Sequence, residues 1–197
     1  MSSPHCALPL TTLTRLLSGV KVDSIESLSQ AIDALHAMYR VPHVVITSVT
    51  FTNGAAKMKC AGSSMTAAGA ARKFIIDVPI IDGFYSGTGD LFAALTLARL
   101  REHSAAAGLL GVPGWAPPDA TPPLELPLAR AIEVVLASMN LVLQKTRAAR
   151  DRELAAGAVE EGMAEHVRVT RASELRLVQS QRELLSPGLS YKATVLL

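Results

Sequence analysis

Apolar residues recur at helical spacing over 24–39, where Ile25, Leu28, Ile32, Leu35 and Tyr39 share one face and predict an amphipathic helix. Asp23 and Glu26 suggest a capping-box start, and Pro42 stands just past the end as a stop. The helical period returns over 128–154, with Leu128, Ile132, Val135, Leu136, Met139, Val142 and Leu143 on one side and Arg130, Lys145, Arg147 and Arg150 elsewhere. Residues 89–103 are apolar almost all round, which predicts a helix needing cover on most of its surface. Between these lie short β-branched runs. His-Val-Val-Ile-Thr at 43–47 has the look of a buried parallel strand, 56–60 is a weaker strand, and 74–78 is a strong one. Residues 175–180 and 193–196 alternate and predict late edge strands, with a Pro187-Gly188 turn between them.

The remaining stretches read as connections. Residues 1–15 carry no period and suggest a weakly ordered leader. Residues 61–71 are small and polar, and 155–172 are rich in Gly, Ala and Glu; both read as loops. Pro113, Pro117, Pro118, Pro122, Pro123 and Pro127 crowd around Trp115, which predicts a surface insert at about 104–127 without regular structure. Arg72 and Lys73, just before the strand at 74–78, read as a solvated strand end. No internal repeat and no second domain is visible. Strands interleaved with helices predict an α/β architecture whose central sheet is mainly parallel and flanked by helices.

Composition narrows the function classes. The 197 residues carry a formal net charge of +2, with basic residues scattered rather than striped, so a nucleic-acid partner is not expected. Aromatic residues make up 4%, which leaves the core to Leu, Val, Ile and Ala. Cys6 and Cys60 form no Cys-x-x-Cys pair, and His5, His36, His43, His103 and His166 lack zinc spacing, so no metal site is identified. The N-terminus has no charged segment followed by an apolar core, and no run of about 18 apolar residues occurs. A cytoplasmic protein without a membrane segment is the expectation.

Candidate chemistry sits between the strand at 74–78 and the helix after it, in Phe-Tyr-Ser-Gly-Thr-Gly-Asp at 84–90. Gly87 and Gly89 allow a sharp turn and close backbone approach to a ligand. The amides at 87–90 would be the unpaired donors of a helix start, which favours negative charge and binds phosphate groups. Asp90 in such a site could accept a proton from a hydroxyl undergoing phosphorylation. The same four residues also read as a tight turn with an acid in the first helical turn. No Gly-Lys-Ser/Thr follows, so this is not a Walker A loop.

The Gly87-Thr88-Gly89-Asp90 segment resembles the signature of the ribokinase-like kinases, and within them that of the pyridoxal kinases. Residues 84–94 (Phe-Tyr-Ser-Gly-Thr-Gly-Asp-Leu-Phe-Ala-Ala), 141–146 (Leu-Val-Leu-Gln-Lys-Thr), 174–180 (Glu-Leu-Arg-Leu-Val-Gln-Ser) and 192–196 carry the likeness. It runs from about Leu16 to the C-terminus, with a poor match over 104–127. It implies the C-terminal, nucleotide-side part of a three-layer ribokinase-like fold with a mainly parallel sheet. It also implies ATP-dependent phosphorylation of the 5′-hydroxymethyl group of pyridoxal, with Asp90 as base and Gly87, Thr88 and Gly89 as anion hole. By the same resemblance Thr47, Ser48, Ile80, Ile81, Thr88, Met139 and Leu143 would line the ATP. For Thr47 and Ser48 strand capping, and for Ile80 and Ile81 plain packing, are the readings the residues alone allow. ATP, Mg2+ or another divalent cation, a monovalent cation, a pyridoxal-type small molecule and a homodimer complete the implied partners.

The sequence departs from that pattern at its start. The resemblance lacks the half that would floor the pyridine ring, and an Asn-x-x-Glu pair that helps position the metal falls on Leu10 and Leu13. This suggests a fragment or truncated gene model. A non-catalytic nucleotide-binding or interaction module is the alternative reading, and a hydroxymethylpyrimidine kinase-like enzyme a third.

Overall fold

The computed structural model describes residues 10–51, 57–156 and 164–197. Residues 1–9 of the leader expected at 1–15, Cys6, His5, the first residue of the strand expected at 56–60 and part of the expected 155–172 loop lie outside these. The chain divides into two compact units: one of Met1–Ile80, Arg101–Arg130 and Lys192–Leu197, the other of Ile81–Leu100 and Ala131–Tyr191.

The first unit is built on a sheet. Strands β1 (His43–Val49), β2 (Lys57–Met65), β3 (Ala71–Pro79) and β4 (Thr194–Val195) lie in the order β1-β2-β3-β4. Every neighbouring pair is antiparallel, which corrects the expectation of a mainly parallel sheet. The reason is local. The small polar residues 61–65 extend β2 instead of forming a loop, so only 66–70 remain before β3. There Thr66 N–H bonds the Ala70 carbonyl at 2.8 Å, and Gly69, at φ +87°, closes the turn. A link that short makes a hairpin, whereas parallel neighbours need a crossover of a dozen or more residues.

Residues 61–65 can enter the sheet because their polar groups are satisfied. Buried Ser63 donates its hydroxyl to His36 Nε2 at 3.0 Å, while His36 Nδ1 donates to the Val41 carbonyl at 2.8 Å. Ser64 Oγ lies 2.8 Å from His43 Nδ1, and His43 Nε2 donates to the Gly114 carbonyl at 2.8 Å. Gly62 pairs with Phe74, whose ring occupies the space a side chain would need: a Cβ on Gly62 would come within 2.4 Å of it. Phe74 is wholly buried as a result.

Helices α1 (Leu10–Ser18) and α2 (Ile25–Tyr39) belong to this unit, and α1 begins inside the stretch expected to be a leader. Ser24, not Asp23, caps α2. It accepts from Ser27 N–H at 3.1 Å while Ser27 Oγ accepts from Ser24 N–H at 2.9 Å. Leu28, Ala31, Ile32 and Leu35 form a core with Val44, Ile46, Val49, Ala61 and Leu196. Burying side chains of this size stabilises by roughly 1.5–3 kcal/mol each before entropy is counted.

The other face of the hairpin receives the proline-rich insert, whose regular structure between Ala106 and Pro127 is limited to short 3-10 turns at Pro113–Trp115 and Pro123–Glu125. Arg72, expected in solvent, is buried and donates to the carbonyls of Ser64, Met65, Pro117, Pro118 and Thr121, the Pro118 bond at 2.6 Å. Asp119 accepts from Ala67 N–H at 2.8 Å. Lys73 points the opposite way and binds Asp33 at 2.6 Å and Ser29 at 2.8 Å, joining β3 to α2.

Helices α3 (Thr88–Ala106) and α4 (Pro127–Ala155) contribute residues to both units. In the second unit they are joined by α5 (Glu165–Ala172), a 3-10 turn at Val178–Ser180 and α6 (Gln181–Leu185). The expected edge strand at 175–180 is therefore not a strand, since residues 178–180 form the 3-10 turn and 175–176 are irregular, and part of the expected loop at 155–172 is α5. By length and composition α4 could cross a membrane, but 67% of its most apolar window is buried inside the chain, which is the environment of a core helix. On α3, Ala93, Ala94, Leu97 and Ala98 are exposed, so the expected cover on most of its surface is not found among the described residues.

Two outcomes follow from this packing. Arg72→Met should lower unfolding free energy by roughly 2–4 kcal/mol in urea titration, because buried carbonyls lose charged donors, and Arg72→Lys should recover only part. Burial holds the His43 imidazole below its ordinary value of 6.5. The unfolded chain then binds the extra proton first, so stability is complete above pH 6.5 and falls as pH drops from there through the lower folded value. His43→Asn should flatten that part of the stability–pH profile.

Candidate active site

The candidate residues fall in both units. In the first, Thr47 and Ser48 do not simply end β1. The register steps from Ile46↔Ala61 to Val49↔Lys59, so β1 carries one extra residue and bulges there. Ser48 takes φ +54°, a left-handed conformation that a side chain rarely adopts, and is exposed. Bulges re-aim side chains and occur often beside functional sites. Ile80, just past β3, is 48% exposed, so about half of its surface is left open.

In the second unit the turn at 81–87 leads into α3. Gly87 has φ +80°, a value that suits glycine, while Gly89 is already inside the helix, where an added Cβ would meet nothing within 4 Å. The two glycines therefore differ: Gly87 is needed by the backbone, Gly89 only leaves space open. Leu91 N–H bonds the Gly87 carbonyl at 3.0 Å. The amides of Thr88, Gly89 and Asp90 precede that first bond and have no intrahelical acceptor. Thr88 Oγ1 turns back to the Tyr85 carbonyl at 3.5 Å, a marginal bond that leaves the Thr88 amide available. Asp90 is exposed at the same helix end.

Three residues that the sequence pattern did not single out hold this turn. Tyr85 is buried and donates its hydroxyl to the Asp82 carbonyl at 3.1 Å. The Arg150 guanidinium of α4 sits 5.5 Å from the Tyr85 ring centroid, a cation–π distance. Gly83, at φ +121°, lets Arg150 pass, since a Cβ there would lie 2.4 Å from its Nη1. The Asp82-Gly83 dipeptide is a turn signal that could have located this corner. Ile81 is half-buried beside it. On α4, Met139 is buried and Leu143, one turn on, is half-buried, which suits an apolar wall.

Leu10 stands at the start of α1, and Leu13, on the same helix, is 43% exposed; neither residue type can ligate a metal. Among the described residues, no group of three or more His, Cys, Asp or Glu converges in a way that could hold a metal ion.

No family model matches the chain. Individual proteins do. A Schizosaccharomyces pombe protein named as a candidate pyridoxal kinase is 33% identical over 183 residues, which is 90% of this chain and 50% of that one. The pyridoxal kinase of Ovis aries is 30% identical over 189 residues, 92% of this chain and 50% of the relative. The solved pyridoxal kinase of Leishmania donovani in complex with ADP and pyridoxamine superposes with a TM-score of 0.65 at 20% identity, covering 95% of this chain and 50% of that structure. This last likeness shows the shared fold. The chain spans about half the length of the relatives it matches. Homologous to these enzymes along nine-tenths of its own length, it belongs to the pyridoxal kinase family.

Proposed function

We propose that this chain supplies the nucleotide side of an ATP-dependent kinase that phosphorylates the 5′-hydroxymethyl group of pyridoxal and related vitamers. The observation that supports it most is the Gly87–Asp90 corner, where unpaired amides and an exposed carboxylate share one helix start. The relatives' names and the ADP and pyridoxamine in the Leishmania complex support the same reading.

In this mechanism the amides of Thr88, Gly89 and Asp90, with the positive end of α3, receive the charge that builds on the phosphoryl oxygens. The vitamer hydroxyl oxygen attacks the γ-phosphorus, the bond to the β–γ bridging oxygen breaks, and ADP leaves. Asp90 takes the hydroxyl proton. The transition state is loose, so a carboxylate suffices as base if the proton departs late. Met139 and Leu143 would face the adenine, with Ile81 beside the Gly87–Asp90 corner. In the first unit the nucleotide contacts would be Thr47 and Ser48 at the β1 bulge and Ile80 past the end of β3. Magnesium would arrive with the triphosphate, since the described residues offer it no ligand cluster.

A non-catalytic nucleotide-binding module is the second reading, favoured by Leu10 and Leu13 at the places of the family's Asn and Glu. Pyridoxal 5′-phosphate formation separates the two. Asp90→Asn should reduce turnover by about 10²–10⁴-fold with ADP affinity little changed. Near-wild-type turnover in that variant would reduce Asp90 to a helix-start acid, and ADP binding without turnover in the parent chain would favour the module.

The two glycines give an independent check. Gly87→Ala forces a side chain into a left-handed backbone at a cost of about 1–2 kcal/mol and should weaken ADP binding in calorimetry. Gly89→Ala lies in helical backbone and should leave thermal stability equal or slightly raised. If Gly89→Ala weakened ADP binding more than Gly87→Ala, ligand crowding rather than backbone geometry would set the site.

A further inference from the structure

A cavity of about 430 Å³ lies along α4 within the second unit, apart from every residue assigned so far. Lys145, Ala148, Arg152 and Glu153 line it from α4, and Arg176 and Gln179 from the segment that follows α5. The α4 positions recur at three- and four-residue steps and so share one face. With 3.6 residues per turn, Lys145 and Arg152 stand on the order of 140° around the helix from Met139 and Leu143. The cavity is therefore not the proposed adenine wall.

The opposite wall is fixed to α4 by specific bonds. Thr146 Oγ1, wholly buried, accepts from Arg176 N–H at 3.1 Å and donates to the Val142 carbonyl at 2.8 Å. Lys145 Nζ donates to the Gln179 carbonyl at 3.0 Å and pairs with Glu183 at 2.7 Å. Ala148 and its neighbour Ala149 leave the floor hollow, where larger side chains would fill it.

The lining is cationic and has donors to spare. Lys145, Arg152 and Arg176 face a single lining carboxylate, Glu153, which pairs with Arg176. One ammonium proton of Lys145 remains after its two bonds. Arg152 uses Nε on the Ala148 carbonyl of its own helix at 3.1 Å, and its terminal nitrogens have no acceptor among the described residues. Even with Glu183 counted, positive charge is in excess. We propose that this cavity binds a small molecule through a phosphate group. The terminal nitrogens of Arg152 and the remaining Lys145 proton, with Arg176 beside them on Glu153, suit a tetrahedral anion that accepts several bonds at once. The volume lies within the range of small-ligand sites, and Gln179 offers a neutral donor and acceptor to the rest of the molecule.

The test is calorimetric titration of the full chain with inorganic phosphate, with acetate as the control anion and ADP as the readout of the Gly87–Asp90 corner. Arg152→Gln removes an exposed fork without disturbing the fold, and Ala148→Leu fills the floor. Each should weaken phosphate binding about tenfold or more, the worth of one charge-assisted bond, while ADP affinity stays unchanged. Unchanged phosphate affinity in both variants overturns the proposal. So does phosphate binding that is lost in Gly87→Ala but kept in Arg152→Gln, acetate binding as tight as phosphate, or no phosphate binding by the parent chain.

Discussion

The first unit depends on one buried cation. Arg72 places a permanently charged group where water is largely excluded, a position that is unfavourable unless its donors are spent. They are spent on main-chain carbonyls from three places: the end of β2, the segment around Pro117 and Pro118, and Thr121. Prolines supply carbonyls but no competing N–H, so a proline-rich strap is well suited to wrapping a guanidinium. The proline content that predicts an insert without regular structure is also what lets it be held. His43 repeats the same logic nearby by donating to Gly114.

What could be read from the sequence depended on whether a residue's partner was close along the chain. The apolar period of α2 and of α4 is local, and both helices stand within a residue of the expected 24–39 and 128–154, at Ile25–Tyr39 and Pro127–Ala155. Residues 61–65 carry no such signal. Their strand depends on His36, His43 and Phe74, distant in sequence, filling or satisfying positions that look like loop. Missing that extension also hid the hairpin and with it the antiparallel order of the sheet. At 175–180 short alternation predicted an edge strand, but Thr146 and Lys145 bond Arg176 and Gln179 instead, and residues 178–180 form a 3-10 turn.

The candidate site divides in the same way. The Gly87–Asp90 turn is legible because each residue type has a backbone reason to be there. Tyr85 and Arg150 were not, since a cation over a ring leaves no spacing rule in sequence. The consequence is that the geometry of the free amides rests partly on a side chain more than sixty positions away, and on Gly83 being small enough to admit it.

The bulge in β1 has a second effect, on self-association. Among the described strands β1 is an outer one, and a straight outer strand offers a ready ladder to any other copy of itself. The extra residue at Thr47–Ser48 breaks the spacing of that ladder and turns its N–H and C=O groups out of line. The irregularity that leaves Ser48 exposed thus also works against edge-to-edge pairing along β1. Selection acting on solubility alone would be enough to keep the irregularity.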